Sequence, residues 1–262
     1  MTAAPDRPGQ TPAGPSTPPV TLVPPRALLP RAVLRPVREG NAYEATVEQL
    51  ATSVRLGVFA PGEHLPPERE LAELLGVSRS TLREAIAALR EAGMVQTRRG
   101  RGGGSLVVHR AGSPLPPDAD REGQQRRWHD ALDFRRVVEP GAAALAASRD
   151  LSAEQRAWLV ASRAEVESAA DAGAHRQADS RLHLALATVS GSQLLVNAVT
   201  HVQSVLHEML VAIPVLAPNI AHSSAQHRAV VDAVLAGDPA GARRGMEDHC
   251  DATSALLRGL LG

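Results

Sequence analysis

The junction Leu74-Leu75-Gly76-Val77-Ser78 constrains this chain more than any other stretch. Helix-forming residues with Leu71, Leu74 and Leu75 on one side precede it, starting at Pro67 or Glu68. Proline costs nothing in a first turn, because its missing N–H has no partner there. Gly76 stands where a helix end needs a left-handed residue, and Ser78 stands where the next helix needs a cap. A second helical pattern then runs to about Ala92, with Leu82, Ile86 and Leu89 at buried spacing. Gly93 ends it. Two short apolar runs follow, Met94 to Thr97 and Ser105 to Val108, around a glycine-arginine tip. Two short helices at a tight turn, followed by a small hairpin, predict a winged helix-turn-helix.

Such a module reads DNA with the first turn of its second helix. Arginine can fork onto guanine there, and serine and threonine reach bases or phosphates. Ser78, Arg79, Ser80, Thr81 and Arg83 supply those groups. The chain carries 28 basic and 28 acidic residues, so any nucleic-acid surface has to be local. Between Arg79 and Arg101 six arginines face only Glu84 and Glu91, which is such a patch. Every basic side chain of the Lys/Arg class is arginine.

Upstream, Asn41 and Glu44 form a capping-box pattern for a helix from about 41 to 56. Val47, Leu50, Val54 and Val58 step along one face, and Gly57 and Pro61-Gly62 stop it. Residues 1–38 are rich in Pro, Ala, Gly and Thr and are expected to be a disordered arm. A DNA-binding domain over 39–110 and a linker over 111–127 follow.

From Trp128 onward the pattern is helical throughout, with helices expected near 128–148, 153–171, 174–190, 193–212, 218–236 and 239–260. Gly141, Gly173, Gly191 and Gly237, with Pro140, Pro214, Pro218 and Pro239, read as punctuation between them. Aromatic residues make up only 2%, so the core has to be aliphatic. The expected class is mainly α, the winged module being followed by an all-helical antiparallel bundle over 128–262. One cysteine, Cys250, excludes an intrachain disulfide. No membrane span or signal peptide is legible, and a cytoplasmic protein is expected.

Four residues in the bundle suggest a site. Asp179 and His183 are four apart and share a helix face. His227 and His249 each lie eleven residues from Asp238, the centre of a Gly237-Asp238-Pro239 helical hairpin, and so come to the same height. Three imidazoles and a carboxylate suit zinc, nickel or manganese. An Asp-x-x-x-His pair is also common on helix surfaces, and spacing leaves both readings open.

The stretch PGEHLPPERELAELLGVSRSTLREAIAALREAG, Pro61 to Gly93, with RRGRGGGS after it, resembles the DNA-binding domain of the GntR regulators over about 65 residues. That resemblance implies DNA contacts by Arg69, Ser78, Arg79, Ser80, Thr81 and Arg83, and by the wing tip at Arg99 and Gly100. Pro67 and Ser105-Leu106 depart mildly from the family pattern. The helical part, about 128–258, resembles the FCD domain of the FadR-like subfamily. It implies metal ligation by Asp179, His183, His227 and His249, with Arg135 facing the carboxylate of a small organic acid. Ser192 departs from that pattern near the pocket.

The expected protein is thus a homodimeric transcription regulator on a short inverted repeat, a repressor and not an enzyme. Two alternatives stand beside it. One is a metal-free regulator with an apolar or acyl ligand. The other is a metal-dependent hydrolase suggested by His129-Asp130.

Overall fold

The structure, a computed structural model, describes residues 28–37, 42–98, 104–109, 121–213 and 217–261. Four helices and a hairpin come first: α1 (Leu28–Val33), α2 (Ala42–Arg55), α3 (Glu68–Leu75), α4 (Arg79–Glu91), β1 (Val95–Arg98) and β2 (Gly104–Val107). Six longer helices follow: α5 (Arg121–Ala147), α6 (Ala153–Glu167), α7 (Ala172–Val189), α8 (Gln193–Ala212), α9 (Ala217–Ala236) and α10 (Pro239–Leu261). The strands pair antiparallel with Val95 opposite Val107, and His64 adds a single bridge to Leu106.

The winged module closes around Leu50, Val54, Leu71, Leu75, Leu82, Leu89 and Val95, all essentially without solvent contact. Each such leucine contributes about 1.5–3 kcal/mol by leaving water. Gly76 is left-handed, at φ 63°, as the turn demands. A Cβ there would also lie 3.2 Å from Pro36, so the segment entering the module packs directly on the turn. Ser78 caps α4 by accepting from the Thr81 amide at 3.1 Å.

The second core is built by α5 to α10 and is rich in Ala, Val and Leu. Gly237 turns the chain at φ 69°, and the Gly241 amide donates to the Asp238 carboxylate that caps α10.

Three expectations differ from the structure. The segment expected to be a disordered arm to residue 38 contains α1, whose Leu29 and Val33 are buried against α7 and α8. Six residues are too few to hold a helix alone. The docked apolar side chains hold it, and residues 1–27 lie outside the described residues. The helix expected to begin near 128 starts at Arg121, inside the expected linker. Finally, Pro140-Gly141 does not punctuate. Helix α5 runs through both, because a 27-residue helix packed on α8 and α10 outweighs one missing hydrogen bond. The Asn41 cap lies outside the described residues, as does most of the linker.

The two cores meet at Gly57, in the turn after α2. Leu56 and Val58 join the core of the bundle. The Gln177 side-chain amide donates to the Val54 and Arg55 carbonyls, each at 3.3 Å, and Arg181 Nη1 reaches the Gly57 carbonyl at 3.5 Å. Gly57 has φ 71°, and a Cβ there would lie 2.9 Å from Gln177 Cβ and 2.7 Å from Arg181 Nη1. The arginine tip can yield, but the glutamine Cβ cannot. Gly57→Ala is therefore expected to destabilise the protein by at least about 1–2 kcal/mol from backbone strain alone. An unchanged urea midpoint would show that the joint yields freely.

Candidate functional site

The opening turn of α4 presents Arg79 and Ser80 to solvent, with the positive end of the helix behind them. Ser78 is occupied as the cap, and its hydroxyl also lies 2.7 Å from Ser80 Oγ and 2.9 Å from Thr81 Oγ1. Arg83 is exposed and holds Glu68 at 2.7 Å. Arg69 is exposed and lies 3.5 Å from Glu73. Six of the eight expected DNA-contacting residues thus gather on one solvent-facing edge of α3 and α4. Arg99 and Gly100 lie outside the described residues.

The second constellation forms in the bundle. Helix α7 carries Asp179 and His183, α9 carries His227 and α10 carries His249, with each histidine at most 2% exposed. His227 Nε2 lies 3.3 Å from His183 Nε2, 3.3 Å from His249 Nε2 and 3.4 Å from Asp179 Oδ1. Asp179 Oδ2 is 3.9 Å from His183 Nε2. A tetrahedral ion with bonds of about 2.0–2.1 Å needs ligand separations of roughly 3.3–3.4 Å. Three of these four separations match, all of them to His227. The three histidines bring one ligand nitrogen each within 4.8 Å of one another, so the triad could hold a small divalent ion, and Asp179 has to shift to complete the set.

On the outer faces two of the three rings have an oxygen near Nδ1, while His227 Nδ1 is buried with no hydrogen-bond partner among the described residues. His183 Nδ1 lies 3.0 Å from Glu139 Oε2, off the line of a good hydrogen bond, and His249 Nδ1 lies 3.3 Å from Gln226 Oε1. Such partners favour the proton on Nδ1 and leave the Nε2 lone pair facing the centre. Burial, with His183 and Arg135 nearby, pushes His227 down to about 4 against the pull of Asp179. Burial, with His227 and Arg135, holds His249 well below its ordinary value. Both rings are neutral at pH 7, the state that ligates.

Arg135 is 1% exposed. Its Nε donates to Glu139 at 2.9 Å, its Nη2 lies 2.9 Å from His249 Nε2, and its Nη1 has no hydrogen-bond partner. Burial opposes the charge of Glu139, but Arg135 and His183 beside it hold its carboxyl below the usual range. Gln203 donates to the other Glu139 oxygen at 2.6 Å. Burial and Glu139 push the Cys250 thiol up to about 12 against the pull of Arg135, so it stays protonated. Glu139, Gln203 and Gln226 went unassigned in the sequence. The Arg135–Glu139 spacing of four was the available signal, whereas the two glutamines carried none.

Beside these residues a cavity of about 120 Å³ opens to the surface. Leu206, Leu210, Ile213, Ile220 and Leu256 form its apolar wall, while Arg135, His175, Arg176, Asp179, His222 and His249 supply the polar groups. An engineered apolar cavity of about 150 Å³ admits benzene, so this one has room for a small ligand. His129 and Asp130 are exposed on α5 and belong to no metal-binding cluster among the described residues.

A winged helix-turn-helix fused to a helical bundle that carries a small, mainly apolar cavity beside buried polar groups has the build of a DNA-binding regulator with a ligand domain. Comparison with known proteins bears this out. Residues 42–103 match the family model described as bacterial regulatory proteins, gntR family, and residues 130–252 match the FCD domain. The chain is similar to the HTH-type transcriptional regulator RmpR of Mycobacterium gastri, at 31% identity over 83% of this chain and 80% of that one. It is equally similar, at 31%, to the Glc operon transcriptional activator of Escherichia coli K12, over 79% of this chain and 85% of that one. Among solved structures, E. coli McbR/YncC shares the fold at 18% identity and TM-score 0.52, covering 83% of this chain and 97% of that one. The chain belongs to the GntR family of transcription regulators and carries an FCD domain. These relatives are regulators, which sets aside the hydrolase alternative.

Proposed function

We propose that this regulator binds an inverted repeat as a homodimer and that a small organic acid, held beside a divalent ion, controls its grip. The observation that carries this is the convergence of His183, His227, His249 and Asp179 next to Arg135, whose Nη1 is buried without a partner. A divalent ion there would supply a Lewis-acidic point for a carboxylate. Arg135 would orient that carboxylate through its unpaired N–H, with the apolar wall excluding water. The ion would compete with Arg135 for the His249 lone pair, which frees a second guanidinium donor for the acid.

Helix α7 offers a route to the DNA head. Asp179 and His183 lie on its chamber side, and Gln177, two residues before Asp179, and Arg181, midway between the two, hold the turn at Gly57. A ligand that shifts α7 would act on both, and only as far as its affinities for the two head arrangements differ. For the dimer, Phe134 and Val137 are exposed three residues apart on α5, at 41% and 71%, an unpartnered apolar stripe. Family membership does not fix the sign of control, since one relative is an activator.

Selection from random duplex DNA tests the proposal together with light scattering. The expected result is a two-fold symmetric site with half-sites about one helical turn apart, bound by a particle of twice the chain mass. An asymmetric site bound by a monomer would contradict it.

A further inference from the structure

Arg176 was not assigned any role by the sequence, yet it lines the same cavity as Arg135. It is half-buried, and its Nε is buried without a hydrogen-bond partner among the described residues. Three residues before Asp179, it stands about 4.5 Å further along α7, toward the helix N-terminus. The neighbouring His175 also lines the cavity, and its Nε2 is likewise buried and unpartnered. Both lie in the first turns of α7, where the helix dipole adds positive potential. The cavity is therefore lined by polar side chains with unpartnered atoms on two helices, Arg135 on α5 and Arg176 with His175 on α7. An apolar wall lies alongside them.

Charge leads to the same place. Arg135 and Arg176 balance Asp179 and Glu139, the buried or cavity-lining carboxylates beside them, and the exposed Asp171 also acts on Arg176. A divalent ion then leaves the chamber two positive charges in excess. A monocarboxylate removes one of these, and a dianion removes both. Unneutralised charge is costly where the cavity is buried, at Arg135.

We infer that the effector is a dianionic organic acid, with one carboxylate at Arg135 and the ion, and its second anionic group on Arg176. The inference rests on the metal-and-acid reading above and names the class of ligand that site takes. Arg176 is then the residue that separates dianions from monoanions. Arg176 and Arg135 line one cavity of about 120 Å³, which suits a short spacer between the acidic groups.

The test uses zinc-loaded full-length protein and calorimetric titration with matched pairs: malonate against propionate, succinate against butyrate, glutarate against valerate. Each pair differs by a carboxylate in place of a methyl. At least one dicarboxylate is expected to bind about 10-fold or more tightly than its partner. Arg176→Gln, on the cavity rim, is expected to reduce that ratio to near one while leaving monocarboxylate affinity within about 2-fold. Arg176→Lys, which keeps the charge, is expected to restore part of the ratio. Phosphoglycolate, run in parallel, tells a phosphate from a carboxylate at the second group. Monocarboxylates binding as tightly as dicarboxylates, or a ratio unchanged in Arg176→Gln, would overturn this inference and leave the metal-and-acid reading intact. Failure of every acid to bind zinc-loaded protein would overturn both.

Discussion

Replacing His227 by alanine is expected to abolish divalent-ion binding and every response that depends on it. His227 is the hub of the cluster, with Nε2 within 3.4 Å of both other histidines and of Asp179. Loss of a mere outer partner of a metal ligand costs roughly 10–100-fold in affinity, so loss of this ligand is expected to exceed about 100-fold. In the wild-type protein, zinc at about 100 times its Kd adds about 2.7 kcal/mol to stability. For a helical domain of this size that is a rise of roughly 5–11 °C in Tm. The rise is expected to vanish in His227→Ala and in His183→Ala, measured by circular dichroism with and without zinc. Helical content at 20 °C reports whether each variant has folded. A full zinc-dependent rise in both variants would remove these rings from the site.

The second large effect is on DNA. Arg79→Ala is expected to weaken specific binding by about 1–3 kcal/mol, roughly 5- to 150-fold, and to relax selectivity at one base of each half-site. Arg79 opens α4, is exposed, and belongs to no ion pair found among the described residues. It is free to fork onto a guanine. Arg83 differs, since it has to release Glu68 before it reaches DNA, which lowers its net contribution. Mobility-shift titration with the selected duplex and a scrambled one separates the two roles. Equal losses on both duplexes would make Arg79 a phosphate contact, and no loss on either would remove it from the interface.

How much of this was legible before any coordinates depended on the range of the contacts. The helix-turn-helix is local, since Gly76 and Ser78 fix their own turn and cap, so its boundaries agree with the sequence to a residue or two. The pairing of His227 with His249 was also legible, because a tight hairpin at Asp238 sets the register of everything either side of it. Asp179 and His183 were legible as a pair on one face, but not their meeting with the hairpin, which depends on how α7 packs. Gln203 and Gln226 depend on crossings between helices far apart in sequence, and no periodicity encodes those, whereas Glu139 was marked only by its spacing of four from Arg135. The helix at Leu28–Val33 was read as disordered, because its composition is that of the arm and its order comes from burying Leu29 and Val33. Pro140 misled for the opposite reason, a strong local signal overruled by the packing of a long helix. Arg176 was invisible as one arginine among many until the cavity gave it a side.

The central claim is that Asp179, His183, His227 and His249 hold a divalent ion in a regulator of this family. Elemental analysis of the full chain, purified without chelators, tests it most directly. About one divalent transition-metal ion per wild-type chain is expected, and none above background in folded His227→Ala. A folded wild-type protein that carries no ion, and takes up none on dialysis against micromolar zinc, would contradict it.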